Sequence, residues 1–431
     1  MGKHTTENSL RWLRLDNAAK IYPASRSSTW SNIFRLSATL TESIDVAVLE
    51  SALAVTVRRF PSINARLRRG VFWYYLHQLP NAPQLSPEGS YPLMPMSKQE
   101  SSRCAFRVIV HENRLAVEFF HSLTDGSGGM VFLKTLTAEY IQQKYGVTIP
   151  AGNGVLDRRA APSPDELEDS FLKYAGDVSA NRRETDAWKT SGTLEPDGFQ
   201  NLLCVQLSSK AIADAARSQG VSVTSYLTAA MLEALLALQR EKVPFRHWRK
   251  PIKVQVPVDL RRLFPSQSLR NFAYFTNVEV DPKLGKYTFA ELCKHTHHHL
   301  GMEVTQKKMR LQITSNVSSE RIIPVRIMPL FLKNIALKIA FLTVGERKTC
   351  LSLSNLGRIS LPEEMMPYVQ RMDFILAPQS SAPHNCGALS FKDTLYVNII
   401  RSTREPELEA HFCRILQEQG LTVTVQSNNR L

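Results

Sequence analysis

The stretch Ala116-Val117-Glu118-Phe119-Phe120-His121-Ser122-Leu123-Thr124-Asp125-Gly126-Ser127-Gly128-Gly129 decides how the rest of this chain is read. An apolar, strand-like run ends on a histidine, and an Asp-Gly pair follows at a fixed offset. A neutral imidazole is the side chain best suited to take a proton near neutral pH, and a carboxylate a few residues on can fix the loop that holds it. A helical pattern over residues 130–145 starts at once, so its N-terminal dipole faces the same loop and favours negative charge there. Gly126, Gly128 and Gly129 are expected to let the backbone turn sharply and approach a ligand closely. Two readings are open from these residues: a base delivered by a strand, or a loop histidine that caps a turn.

Outward from this stretch the chain divides into two halves and a crossover. Residues 44–59 place apolar side chains at helical spacing after Thr41-Glu42-Ser43, and Phe72-Trp73-Tyr74-Tyr75-Leu76 and Arg107-Val108-Ile109-Val110 are β-rich. Residues 151–199 are polar and richer in Gly, Pro and Asp, with one helix expected over 165–174, as an interdomain linker would be. The second half restarts with a strand over 202–207 and a helix over 209–218. Residues 223–236 are mostly apolar and predict a buried helix with Thr224 or Ser225 as its cap. The organisation is thus α+β, with one half over 1–160, a crossover over 161–200 and a second half over 201–431.

Three further segments match in order and extend the motif into a resemblance. They are Arg59-Phe60-Pro61-Ser62-Ile63-Asn64-Ala65-Arg66, Val256-Pro257-Val258-Asp259-Leu260-Arg261-Arg262-Leu263-Phe264-Pro265 and Leu353-Ser354-Asn355-Leu356-Gly357. Together with His121 and Asp125-Gly126 they resemble the CoA-dependent acyltransferase superfamily, which includes chloramphenicol acetyltransferase, plant acyltransferases, wax ester synthases and peptide-synthetase condensation domains. Within it the chain is most similar to alcohol-acetyltransferase-like and condensation-domain-like proteins. The family hallmark reads His-His-x-x-x-Asp-Gly, and here Phe120 stands in place of the first histidine. Condensation domains usually keep that histidine, so the departure leans away from peptide-bond formation. Where wax ester synthases carry an Asn-Asp pair near the start of the similar helix, this chain has Thr224-Ser225, and no role is carried over to them.

The resemblance implies two chloramphenicol acetyltransferase-like subdomains, each a mixed sheet flanked by helices in an α/β sandwich, with a tunnel between them and His121 at its middle. It implies acyl-CoA as co-substrate, no permanently bound cofactor, and a small or lipidic alcohol or amine as acceptor. His121 would act as general base without a covalent acyl-enzyme. Asp125 would hold the loop beside Gly126, paired with Arg66 or Arg261, and Ser354 or Asn355 would be the oxyanion donor. Two other classes stay open: a condensation-type enzyme that takes its thioester from a carrier protein, and a non-catalytic relative that binds a ligand or partner.

Composition sets the outer bounds. The 431 residues are 43% hydrophobic and 8% aromatic, enough for two ordinary domains with substantial cores. A net charge of +14 suits nucleic acid, an anionic membrane surface or an anionic cosubstrate. Only short clusters occur, Arg66-Leu67-Arg68-Arg69 and Arg246-His247-Trp248-Arg249-Lys250, and with no nucleic-acid motif that partner is not expected. The six cysteines are scattered and read as reduced thiols of a cytosolic protein, and the polar start Met1-Gly2-Lys3-His4-Thr5-Thr6-Glu7-Asn8 predicts no secretion. A cytoplasmic location follows as the expectation, with peripheral membrane contact left open. Two segments carry alternatives. Glu291, His295, His299 and Glu303 share a stripe if helical, as metal ligands or as a solvated face; no metal is expected, since the resembling family needs none. Residues 327–344 are apolar but hold Lys333 and Lys338, so a core helix is expected over a membrane span, with a surface helix touching lipid or an apolar substrate as the alternative.

Overall fold

The apolar run before His121 becomes the middle strand of a sheet, and all of its residues but the first are buried. The computed structural model describes residues 12–26, 32–178, 184–244, 250–379 and 382–428. The start Met1–Asn8 and the basic residues 246–249 lie outside them. In chain order the strands are β1 (Trp12–Arg14), β2 (Ile33–Leu40), β3 (Ala65–Arg69), β4 (Tyr74–Gln78), β5 (Leu85–Pro87), β6 (Phe106–His111), β7 (Arg114–Phe120), β8 (Asn201–Ser208), β9 (Ile252–Asp259), β10 (Ala273–Val280), β11 (Leu351–Ile359), β12 (Val369–Leu376), β13 (His384–Phe391), β14 (Thr394–Arg401) and β15 (Thr424–Ser427). The helices are α1 (Tyr22–Ser25), α2 (Val46–Arg59), α3 (Lys98–Arg103), α4 (Gly126–Tyr145), α5 (Ser170–Tyr174), α6 (Ser209–Ser218), α7 (Val223–Lys242), α8 (Phe289–Glu303), α9 (Gln306–Arg321), α10 (Ile323–Ile327), α11 (Leu330–Ala340) and α12 (Glu407–Glu418).

Three sheets result. The first half is built on a five-stranded sheet in the order β12-β2-β7-β6-β5, the second on a seven-stranded sheet in the order β10-β9-β11-β13-β14-β8-β15, and β1-β4-β3 forms a small third sheet. β2 and β7 pair antiparallel with Ile33 opposite Phe120, which carries the chain end-on into the His121 loop. Glu118, the one acidic residue of β7, is buried against Arg35 and Arg107, with Arg35 Nε donating at 2.9 Å. A buried carboxylate persists only with such partners. Phe120 is fully buried in the core with the Arg26 guanidinium 4.8 Å from its ring centre, so a histidine replacement at this position has become a packing residue.

One strand departs from the sequence division. β12 belongs to the second half of the chain yet completes the sheet of the first, antiparallel to β2. Gly387 in β13 makes room for it, since a Cβ there would lie 2.5 Å from the Phe374 carbonyl oxygen. Asn398 and Asn385 pin the crossing, donating to Asp373 Oδ1 at 3.1 Å and to the Ala377 carbonyl at 2.7 Å. The expected linker is also more structured than its composition suggests. Residues 164–167 form a 3-10 turn and α5 begins separately at Ser170, because the Asp169 carboxylate caps it by accepting from Phe171 N. Glu166 pairs with Arg59 of α2, and its carbonyl accepts from Leu269 N.

Several expected boundaries shift for local reasons. α2 starts at Val46 rather than 44, since Asp45 is the residue whose side chain accepts from Val48 N. The cap of α7 is Ser222 rather than Thr224 or Ser225, its hydroxyl accepting from Ser225 N at 3.1 Å. Over residues 327–344 the expectation of a core helix is overturned. α11 lies at the surface with Phe331, Ile335 and Ile339 exposed and Lys333 buried. The lysine turns inward because Phe72 offers a carbonyl at 2.9 Å and Trp73 a ring face at 3.6 Å. Among the described residues no single helix is long and apolar enough to cross a membrane.

Candidate active site

His121 stands at the end of β7, where its backbone N–H donates to the Asn32 carbonyl at 2.8 Å. Its ring stacks on Tyr22 of α1 at 4.5 Å between centres and meets the edge of Phe34 at 5.1 Å. Two aromatic walls fix the ring plane and keep water from most of it. On the third side, His121 Nδ1 lies 3.0 Å from Asn271 Oδ1. The orientation of that amide follows from its other end: Asn271 Nδ2 is 3.2 Å from Asp16 Oδ2, an oxygen that also accepts from the Asn271 backbone N–H at 3.4 Å. Asn271 Oδ1 is therefore the atom facing the imidazole, Nδ1 must donate to it, and Nε2 is left with its lone pair.

Burial lowers the His121 pKa, and this outweighs the opposing pull of its own carbonyl, Asp125, Asn271 and Asp16. The ring is thus neutral at pH 7 and able to accept a proton at Nε2. Asp16 is fully buried; burial raises its pKa, opposed by the nearby Arg270 and by donors from Ala19 and Asn271. Ala19 N donates to its Oδ1 at 2.7 Å. Asp16 and Asn271 form a relay of polar groups behind the histidine that sequence reading did not find. Residues 16, 121 and 271 share no spacing signal, and nothing in the run Leu269-Arg270-Asn271-Phe272 sets Asn271 apart.

Asp125 does structural work beside this site. Its Oδ1 accepts from Gly128 N at 3.0 Å and caps α4, while Oδ2 accepts from Arg261 Nη1 at 2.9 Å and from Phe272 N at 2.8 Å. Burial acts to raise its pKa, but the Arg261 charge and these donors prevail and hold the carboxyl below the usual range. Arg261 is spent on the same loop: it also donates to Asp259, to the Ser268 carbonyl and to the Arg270 carbonyl. Between the two arginines raised by the sequence, the partner is Arg261. Arg66 sits in β3 of the small sheet, its Nε 3.3 Å from His77 Nδ1, because that sheet carries it away from the seam.

The glycines act differently from expectation. None of Gly126, Gly128 and Gly129 takes a left-handed conformation; they are the first residues of α4. Gly128 is needed for closeness, since a Cβ there would lie 2.3 Å from the Leu269 carbonyl and from Thr124 Oγ1. The dipole at this helix end is already answered by Asp125 and by Asp259, which accepts from Ser127 Oγ at 2.8 Å. The loop over 122–128 is thereby zipped to residues 259–272 of the second half, with Thr124 Oγ1 donating to the Leu269 carbonyl at 2.6 Å.

Ser354 and Asn355 lie where β11 bulges between Asn355 and Arg358. Gly357 takes φ +78° there, and its N–H donates to Asn355 Oδ1 at 2.9 Å. Asn355 Nδ2 donates to Thr224 Oγ1 at 3.1 Å, which ties the bulge to the start of α7. Leu356 reaches the Gly126 position, where a Cβ would meet its side chain at 2.9 Å, so the bulge abuts the motif loop. The histidine stripe of α8 lies apart from this seam and packs on β10: His295 Nε2 is 2.7 Å from the Glu279 carbonyl, and His299 lines a cavity of about 250 Å³ with Thr276, Asn277 and Glu303. Among the described residues no group of three His, Cys, Asp or Glu is placed to hold a metal ion.

No family model matches the chain, and no curated protein matches it by sequence. Solved structures match it over nearly its whole length. TRI101 of F. sporotrichioides, complexed with coenzyme A and T-2, gives a TM-score of 0.63 at 11% identity over 96% of this chain and 99% of that one. The trichothecene 15-O-acetyltransferase TRI3 from Fusarium sporotrichioides gives 0.58 at 11% over 95% and 94%. A mutant starter condensation domain of rhizomide synthetase RzmA, in complex with C8-CoA and Leu-SNAC, gives 0.57 at 14% over 95% and 93%. This chain therefore has the chloramphenicol acetyltransferase-like fold of CoA-using acyltransferases and condensation domains.

Proposed function

We propose that this protein is an acyltransferase that moves an acyl group from acyl-CoA to an alcohol, or to an amine, with His121 as general base. The observation that carries the reading is the Asp16–Asn271–His121 relay, which holds a neutral imidazole with Nδ1 protonated in a part-buried site between Tyr22 and Phe34. Nε2 takes the proton of the acceptor as its oxygen or nitrogen attacks the thioester carbonyl, the carbon–sulfur bond breaks, and the CoA thiolate receives the proton back from the imidazolium. No acyl-enzyme is needed. Burial pushes every cysteine thiol up, Cys104 to about 11 and Cys204 to about 12, so none is suited to serve as a thiolate nucleophile. Support for CoA as the donor comes from the shared fold, since TRI101 was solved with coenzyme A.

Ser354 or Asn355 would stabilise the oxyanion, Ser354 being the freer of the two because Asn355 already bridges Gly357 and Thr224. Asp125, Gly126 and Arg261 hold the loop. The substrates meet where the two halves join, in a tunnel through the seam. The test is thiol release from acyl-CoAs of increasing chain length mixed with alcohols and amines. Release that needs both acceptor and His121 supports the proposal; release that survives His121→Ala in folded protein removes the histidine from the mechanism. Transfer from a carrier-protein thioester alone would favour the condensation reading.

A further inference from the structure

We infer that α10, α11 and the hairpin tip at residues 70–73 form a docking surface for an anionic lipid bilayer. This goes beyond the catalytic reading and rests on different residues. α11 inverts the usual partition: Phe331, Ile335 and Ile339, one turn apart on one face, are each more than half exposed, while Lys333 is 1% exposed. Ile323 and Ile327 of α10 extend the apolar face, and Val71 at the hairpin tip is 74% exposed. The pieces form one unit, since Leu330 N donates to the Val71 carbonyl at 3.0 Å and Asn334 Nδ2 to Tyr74 Oη at 3.2 Å.

Charge decides the occupant. Residues 321–340 hold three exposed cations, Arg321, Arg326 and Lys338, besides the buried Lys333, and no acidic residue. The adjoining hairpin, residues 65–78, adds Arg66, Arg68 and Arg69, again with no acidic residue. Exposed aliphatic and aromatic side chains ringed by cations match the interface of a bilayer with acidic headgroups: the apolar side chains enter the acyl boundary and the cations stay at the phosphates. A nucleic acid would leave the isoleucines in water, and a second copy of this chain would set cations against cations. The surface also lies on the side of the candidate base, because α11 packs against α1, whose Tyr22 covers His121. Docking there would bring a bilayer-dissolved substrate to the Tyr22 side of the site.

The experiment is co-sedimentation of the full chain with vesicles of phosphatidylcholine alone and of phosphatidylcholine mixed with phosphatidylglycerol, at low and high salt. Wild type is expected to pellet with the anionic vesicles and to be released by salt. The double variant Phe331→Asp/Ile335→Asp and the charge variant Arg326→Glu/Lys338→Glu are each expected to bind roughly tenfold more weakly. Thermal melting and thiol release from soluble substrates serve as the folding controls, and vesicle binding needs no turnover, so a failed catalytic proposal leaves this test intact. Equal binding by variants and wild type, or binding to neutral vesicles without salt dependence, overturns the inference. So does no vesicle binding by wild type, or a concentration-dependent dimer that Phe331→Asp/Ile335→Asp converts to monomer.

Discussion

The seam around Asp125 and the surface of α11 are opposites in what they hide. At the seam two carboxylates and an amide, Asp16, Asp125 and Asn271, are buried and a guanidinium, Arg261, is part-buried, each with partners. On α11 four large apolar side chains, Phe331, Leu332, Ile335 and Ile339, face outward without cover among the described residues. Burying charge costs free energy that only specific hydrogen bonds offset, so a satisfied polar seam holds one geometry and tolerates little change. An exposed apolar face contributes little to the fold, so substitutions there are nearly silent until a binding partner is supplied. The contrast separates what keeps the protein folded from what it presents.

Breaking the seam should have the largest effect. Asp125→Ala removes the α4 cap, leaves Phe272 N without its acceptor and leaves Arg261 with Asp259 alone, and should cost about 3–5 kcal/mol, seen as a large fall in melting temperature or loss of soluble protein. Asp125→Asn keeps one acceptor, for Gly128 N, and loses the one that Phe272 N and Arg261 share, so its cost should fall between wild type and Asp125→Ala. Asn271→Leu leaves the loop bonds of Asp125 and Arg261 in place but removes the acceptor that fixes the His121 tautomer. Turnover should fall by roughly 10²-fold with KM little changed. Because the Asn271 hydrogen bond raises the His121 pKa, the acid limb of the remaining activity should also move to lower pH. A merely structural role would leave that limb in place.

Gly128→Ala comes next, at about 1–3 kcal/mol, since its Cβ must push back the Leu269 carbonyl. The pH dependence of stability has a definite sign. His121 has a folded pKa below its ordinary 6.5, so the unfolded chain binds more protons, and its contribution is lost as pH falls from 6.5 through the folded value. Asp125 is also depressed, so its contribution is present above 3.8 and lost as pH falls further. In Asp125→Asn the second loss should disappear from an acid denaturation series while the first remains. Smallest of all, Ile335→Ser should change stability by no more than about 0.5 kcal/mol, and a larger loss would mean that the α11 face is packed after all.

What the sequence made legible follows from local pattern. The strand to Phe120, the helix after Asp125 and the helix at Ser209–Ser218 each show in a few consecutive residues, because apolar spacing and caps act over one or two turns. Arg261 was named as one of two partners, and only the fold could choose, since Arg66 differs from it in sheet membership and not in chemistry. Asp16 and Asn271 were out of reach: they meet across 255 residues, and a single buried polar residue has no periodicity. α11 misled for the opposite reason. Its apolar composition resembles a core helix, and what turns it outward is the hold of Phe72 and Trp73 on Lys333, an interaction made across 261 residues.

The central claim, that His121 is a neutral base with its proton held on Nδ1 by Asn271, is open to direct measurement. Nitrogen-15 NMR of histidine-labelled protein, with the His121 signal assigned by its loss in His121→Ala, reports both protonation state and tautomer. At pH 7 the account predicts a protonated Nδ1 and a bare Nε2, with that pattern lost or reversed in Asn271→Leu. An imidazolium at pH 7, or a proton on Nε2 in the wild type, would contradict it.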